Sequence, residues 1–145
     1  MKPFVHKSVV GNFFDILQSE EQRAKPGATS LLLGGTKRQE ALISIFSGDF
    51  TVETLPEFAA SLEGLLTTPV QLVVLDLSLV RVFSANAVGV LVNFLAGVEG
   101  RGKRLILYRP SEAVRETLAS CDLTLLFEVQ QTEDELLLAL PDQNI

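Results

Sequence analysis

Val82-Phe-Ser-Ala-Asn-Ala-Val-Gly-Val-Leu-Val-Asn-Phe-Leu-Ala-Gly-Val98 runs for seventeen residues without a charge. Ala87, Val88, Leu91, Phe94, Leu95 and Val98 recur at the spacing of one helical stripe. Asn86, Gly89, Asn93, Ala96 and Gly97 fall largely off that stripe, so the second face of this helix is small and uncharged. A free surface helix normally carries Lys and Glu there. Just before it, Gln71 to Leu77 is a short apolar run rich in β-formers, with Asp76 near its end. A run of that kind reads as a strand covered on both faces.

Outward from this pair, strand and helix alternate. Gly100-Arg-Gly102 makes a turn into a strand over Arg104 to Tyr108. Ser111 is placed to N-cap a helix with Val114, Leu118 and Cys121 facing inward. Leu123 to Phe127 leads to a short strand near Glu128 to Gln130, and Thr132-Glu-Asp-Glu135 has the form of a capping box before Leu136, Leu137 and Leu140. Upstream, Ser30 to Leu33 and Ala41 to Phe46 read as strands joined by Gly34-Gly35-Thr36-Lys37, with Gly48-Asp49 breaking the second. Thr54-Leu55-Pro56-Glu57 reads as another capping box, opening a helix whose stripe is Leu55, Phe58, Leu62, Leu65 and Leu66. Repeated alternation predicts α/β architecture with parallel pairing and right-handed crossovers.

The N-terminal part differs in character. Val9, Val10, Phe13, Phe14 and Leu17 predict an amphipathic helix from about Pro3 to Gln18, and Ser19 to Gly27 reads as a polar linker. Residues 1–27 are therefore expected as helix plus linker, and residues 28–145 as the compact domain. Such a helix would pack on its own domain or serve as a dimer contact.

The 145 residues fit one domain, and a chain of that size buries roughly 68–70% of its unfolded surface without needing a disulfide or metal. A hydrophobic fraction of 47% suggests a full core plus apolar surface kept for a partner. The net charge of −6 argues against phosphate-backbone binding. One cysteine, Cys121, permits no internal disulfide and fits a reducing cytoplasm. No secretory signal is read at the N-terminus, and Val82 to Val98 is just short of a membrane span. The single histidine, His6, leaves no Ser/His/Asp constellation in the domain, and no metal-ligand spacing or phosphate loop is visible. No cofactor is expected and nothing supports an enzyme.

Leu72-Val-Val-Leu-Asp-Leu-Ser78, the uncharged helix, Gly100-Arg-Gly-Lys-Arg-Leu-Ile-Leu107 and Pro110 through Phe127 together resemble a STAS domain, over roughly residues 28 to 141. These domains are shared by anti-sigma-factor antagonists and the tails of sulfate transporters. The resemblance implies a mixed sheet of about four to five strands with helices packed on it, here with the extra N-terminal helix. It also implies docking on a partner protein, which in the soluble antagonists is an ATP-binding anti-sigma kinase.

The family's switch motif, Asp-Ser-Ser-Gly-Leu-Gly, aligns without gaps from Asp76. Its Asp falls on Ser84, its phosphorylated Ser on Ala85, the second Ser on Asn86, the first Gly on Ala87, Leu on Val88 and the last Gly on Gly89. Ala85 has no hydroxyl, so the usual phosphoryl acceptor is missing. Ser84 reads as a helix N-cap, with a displaced phosphosite as the alternative. The expected docking surface comprises Phe83, Ser84, Ala85, Asn86, Ala87, Val88, Gly89, Val90 and Asn93, with Asp49 and Thr51 from the neighbouring loop. Two other readings stand beside a regulator without catalytic activity. One is a small-ligand or lipid-handling subunit of a transport or sensory assembly; the other is a homodimer through the N-terminal helix.

Overall fold

A computed structural model of the chain describes residues 5–12 and 40–139. Five strands form one sheet in the order β1-β2-β3-β4-β5: Val5–Asn12, Glu40–Phe50, Leu72–Phe83, Arg104–Tyr108 and Glu128–Gln130. The β2/β3, β3/β4 and β4/β5 pairs are parallel, and β1 joins antiparallel to β2. Four helices follow in the crossovers and at the end: α1 (Leu55–Leu65), α2 (Ala85–Gly100), α3 (Glu112–Ser120) and α4 (Glu133–Ala139). Parallel strands require such crossovers, which is why strand and helix alternate after β2.

Helices α1, α2 and α3 bury Phe58, Leu62, Leu91, Phe94, Val114 and Leu118 in one core with Val73, Leu75 and Leu107 from the sheet. The opposite face holds Ala41, Ile43, Leu72, Val74, Ile106 and Tyr108, with Leu136 of α4. Alternation along β3 and β4 therefore feeds two cores, as the uninterrupted apolar runs require. Near the end of β2 the aromatic rings interlock. Phe50 meets Phe58 edge-on with ring centroids 4.7 Å apart, and Phe46 meets Phe58 at 5.6 Å.

Several expectations are corrected. Val5–Asn12 is a strand, not part of a helix. Its β-branched Val5, Val9 and Val10 suit pairing on the edge of β2, and that tertiary pairing overrides the helical spacing, which leaned on Phe13, Phe14 and Leu17. The dimer contact expected from that helix loses its basis. Those last three residues, the Ser19–Gly27 linker, the 28–145 boundary, the Ser30–Leu33 strand and the Gly34–Lys37 turn lie outside the described residues. Gly48-Asp49 does not end β2. The register shifts there while the strand continues to Phe50, with Gly48 at φ 101°, a conformation open to glycine. Helix α1 opens differently from the expected box: the Thr51 amide donates to Thr54 Oγ1 at 3.0 Å, closing a short 3₁₀ turn over Val52–Thr54.

The largest difference is β3, which runs past Leu77 to Phe83. Val82 and Phe83 are thus strand, and only Ala85 onward is helix. Asp76, 2% exposed, is held at mid-strand by the Ser78 amide (3.0 Å), the Ser78 hydroxyl (2.7 Å) and Arg109 Nη2 (2.7 Å). A buried carboxylate needs such partners, because an unpaired one costs several kcal/mol, on the order of 3–5 when one partner is removed. Among the described residues, no helix is long and apolar enough to cross a membrane and no group of acids, Cys and His is arranged to hold a metal.

Candidate functional site: the outward face of α2

The extended β3 sets where α2 begins. Its last residues pair with β2, Phe50 opposite Phe83, and the Ser84 amide donates to the Phe50 carbonyl at 2.9 Å. From the other side, Thr117 Oγ1 of α3 donates to the Phe83 carbonyl at 2.7 Å. Ser84 then caps the helix, its Oγ accepting from the Ala87 amide at 3.2 Å. The start of α2 is therefore pinned by two neighbouring elements and one cap.

Around α2 the expected docking residues separate by burial. Phe83, Ala87 and Val88 belong to the core, so the partner-facing role expected for them is withdrawn. They fill the inward stripe of the same helix, which a reading of consecutive residues cannot separate from the outward one. Ala85, Asn86, Gly89 and Asn93 are exposed, Val90 is half-buried, and Ala96 extends the exposed face toward the C-terminal end. Asp49 is buried, with its Oδ1 3.3 Å from Arg81 Nε, and Thr51 caps the 3₁₀ turn. Asp49 lies at the end of β2 and Thr51 opens the turn into α1, so neither is on α2.

The sequence reading missed three exposed apolar side chains at this end of the sheet: Val52, Leu79 and Val82, at 59%, 58% and 40% exposure. The signal was present. Leu79-Val80-Arg81-Val82-Phe83 continues the β-forming composition past Asp76, and in the fold Val80 and Phe83 are buried while Leu79, Arg81 and Val82 are exposed.

Between α1 and α2 lies a groove of about 210 Å³. Ala59, Leu62, Glu63 and Leu66 line it from α1, and Val90, Asn93 and Phe94 from α2. Gly97 allows the helices to close at one end: a Cβ there would lie 3.1 Å from Leu66 Cδ1. The two cations near that end are committed elsewhere. Arg101 Nη1 reaches the Gly97 carbonyl at 3.4 Å, and Lys103 Nζ holds the carbonyls of Thr68 and Val70. Apart from Glu99 in its last turn, the exposed surface of α2 is uncharged, and Glu63 is the charged residue lining the adjoining groove.

The fold has counterparts among known proteins. The family model described as "Mlab, STAS domain" matches residues 35–128, more than half of the chain. The chain belongs to that STAS family. Among solved structures, an anti-sigma factor antagonist from Mycobacterium paratuberculosis superposes with a TM-score of 0.62 at 15% identity, covering 93% of each chain. The protein tm1081 of Thermotoga maritima gives 0.60 at 22% identity, over 67% of this chain and 84% of that one. The antagonist SpoIIAA in its unphosphorylated form gives 0.55 at 17% identity, over 76% and 93%. Identities this low establish a shared fold. No curated protein matches the sequence.

Proposed function

We propose that this STAS domain is a regulator without catalytic activity that binds a protein partner across the outward face of α2, and that it lacks the family's serine switch. The observation that carries this reading is the exposed row Ala85, Asn86, Gly89, Asn93 and Ala96, which holds no charge on a helix already pinned and capped. Folding does not require that face to be uncharged, and an interface core is depleted in charge.

Ala85 supports the absence of the switch. It is exposed on the first turn of α2, at the position where the resemblance places the phosphoryl acceptor, and it has no hydroxyl. A phosphoserine there would add about −1.5 to −2 charges to the contact face and oppose docking. Without it the face stays competent. Ser84 beside it is spent on capping.

An ATP-binding anti-sigma kinase is the partner class the family resemblance implies, and a subunit of a transport or sensory assembly is the competing one. The α1–α2 groove, about 210 Å³, adjoins the α2 face and extends the surface open to a protein partner. Tagged wild-type chain and Gly89→Glu, each expressed in the native cell, test the reading. A Cβ at residue 89 meets nothing within 4 Å, so the fold should hold. The same specific protein should co-purify with wild type and be absent with Gly89→Glu, whose melting temperature should be no lower than that of wild type. Identical co-purification with both would remove the α2 face from the function.

A further inference from the structure

Resting on the α2-face reading, the structure also indicates what the partner must bring to it. We infer that the partner seats one large apolar side chain, of leucine or phenylalanine size, in the α1–α2 groove and presents a lysine or arginine to Glu63.

Size comes first. An apolar cavity of about 150 Å³ accepts a benzene-sized group, and the groove here measures about 210 Å³. It has room for one large side chain. Its floor is suited to that occupant, with Leu62 and Phe94 buried beneath and Leu66 and Val90 half-buried on either wall. Apolar side chains anchored in such a pocket commonly dominate binding, while the surrounding contacts keep water out.

Charge comes second. Glu63 is exposed on the groove, and no cation pairs with its carboxylate among the described residues. Lys103 Nζ is held by the carbonyls of Thr68 and Val70, and Arg101 Nη1 lies 3.4 Å from the Gly97 carbonyl. No Lys or Arg occurs in the sequence between Arg38 and Arg81, so α1 is acidic throughout. A free acid beside an apolar slot selects a cationic residue next to the anchor and repels an acidic one. Asn93, on the opposite wall, offers an amide to the partner's backbone or side chain without adding charge.

The test uses the full-length chain and a display library of helical 15-residue peptides, sorted for binding to wild type. Binders should share a Leu, Phe or Met with a Lys or Arg within one helical turn. Their affinity should drop at least tenfold on Ala59→Phe, which fills the groove, and on Glu63→Lys, an exposed reversal that leaves the fold alone. It should also weaken as salt rises. Recovery of no binder overturns the inference. So do binders lacking that pattern, or binders indifferent to both variants. Peptides lost on Gly89→Glu yet retained on both groove variants would overturn this inference and leave the α2-face reading standing. The protein that co-purifies from cells, measured against the same variants, should follow the peptides; its indifference to Ala59→Phe and Glu63→Lys would likewise overturn the groove assignment.

Discussion

Helices α2 and α3 begin alike. Each has a serine at the N-cap, and the two hydroxyls accept from amides three residues on, Ala87 at 3.2 Å and Val114 at 3.3 Å. Both press a stripe of Val and Leu into the same core: Val88 and Leu91 from α2, Val114 and Leu118 from α3. They differ in what faces water. The exposed residues of α3 include Glu112, Arg115 and Glu116, whereas those of α2 include Ala85, Asn86, Gly89, Asn93 and Ala96, with a charge, Glu99, only in the last turn. Since inward packing and capping are matched, the outward difference is not a requirement of folding. Under the proposed reading, one helix is finished for solvent and the other for a second protein.

If that comparison is sound, the inward faces should be interchangeable in cost. Leu91 and Leu118 are 0% and 2% exposed. Leu91→Ala and Leu118→Ala should each destabilise by about 2–5 kcal/mol, the range for a buried leucine leaving a cavity. Urea denaturation with a common slope reads this directly. A loss below about 1 kcal/mol at Leu91 alone would mean that α2 is not anchored as α3 is, and the contrast between their outer faces would lose its control.

Outward changes should then separate the helices. Gly89→Glu should lower affinity for the co-purifying protein by about a hundredfold, equivalent to ~2.7 kcal/mol, whereas Arg115→Glu on α3 should leave it unchanged. Stability should move the other way at residue 89, because glycine inside a helix costs up to about 1 kcal/mol relative to a good helix former. Equal losses of affinity from the two charge changes would report net charge rather than a face, and the distinction between α2 and α3 would collapse.

Much of this architecture can be read from residue order. The β3 run, the stripe of α2, the Ser111 cap and the strand over Arg104–Tyr108 are each strong local signals that tertiary contacts reinforce. The failures have physical causes. Val5–Asn12 is a strand because β2 offers it an edge, a long-range fact invisible in local spacing. Local sequence alone ends β3 near Asp76, because a carboxylate there looks like a terminator. In the fold it is buried mid-strand and satisfied by Arg109, 33 residues away in sequence. The site was legible as an uncharged segment but not as a surface. Phe83, Ala87 and Val88 could be told from Ala85, Asn86 and Gly89 only once the strand end fixed the rotation of α2. The groove depends on how α1 and α2 meet at Leu66 and Gly97, which no single segment encodes.

The caps give a smaller and more even test of the same pairing. Ser84→Ala and Ser111→Ala each remove one side-chain acceptor from a helix N-terminus, and each should cost about 0.5–2 kcal/mol in thermal or urea unfolding. The two losses should agree within about 0.5 kcal/mol, since the hydrogen bonds are of similar length and both serines are half-buried. A near-zero cost at Ser84 alone would free its hydroxyl from capping and make it available for modification, reversing the assignment made for it here.

The smallest effect is also the sharpest, because stability and binding should move in opposite directions. Ala85 is exposed on the first turn of α2, where the backbone amides leave a partial positive charge. Ala85→Asp should therefore stabilise the isolated chain by about 0.3–1 kcal/mol, raising Tm by roughly 1–4 °C for a chain of this length. The same carboxylate stands where the family's phosphoserine would stand, and docking must strip its water. Affinity for the partner should fall even as Tm rises, with the loss shrinking at high salt if it arises from repulsion. A matching substitution on the first turn of α3, Ala113→Asp, supplies the control. It acts on stability through the same dipole and should leave affinity untouched. Should Ala85→Asp bind as wild type does, this position lies outside the contact, and its missing hydroxyl says nothing about how the protein is controlled.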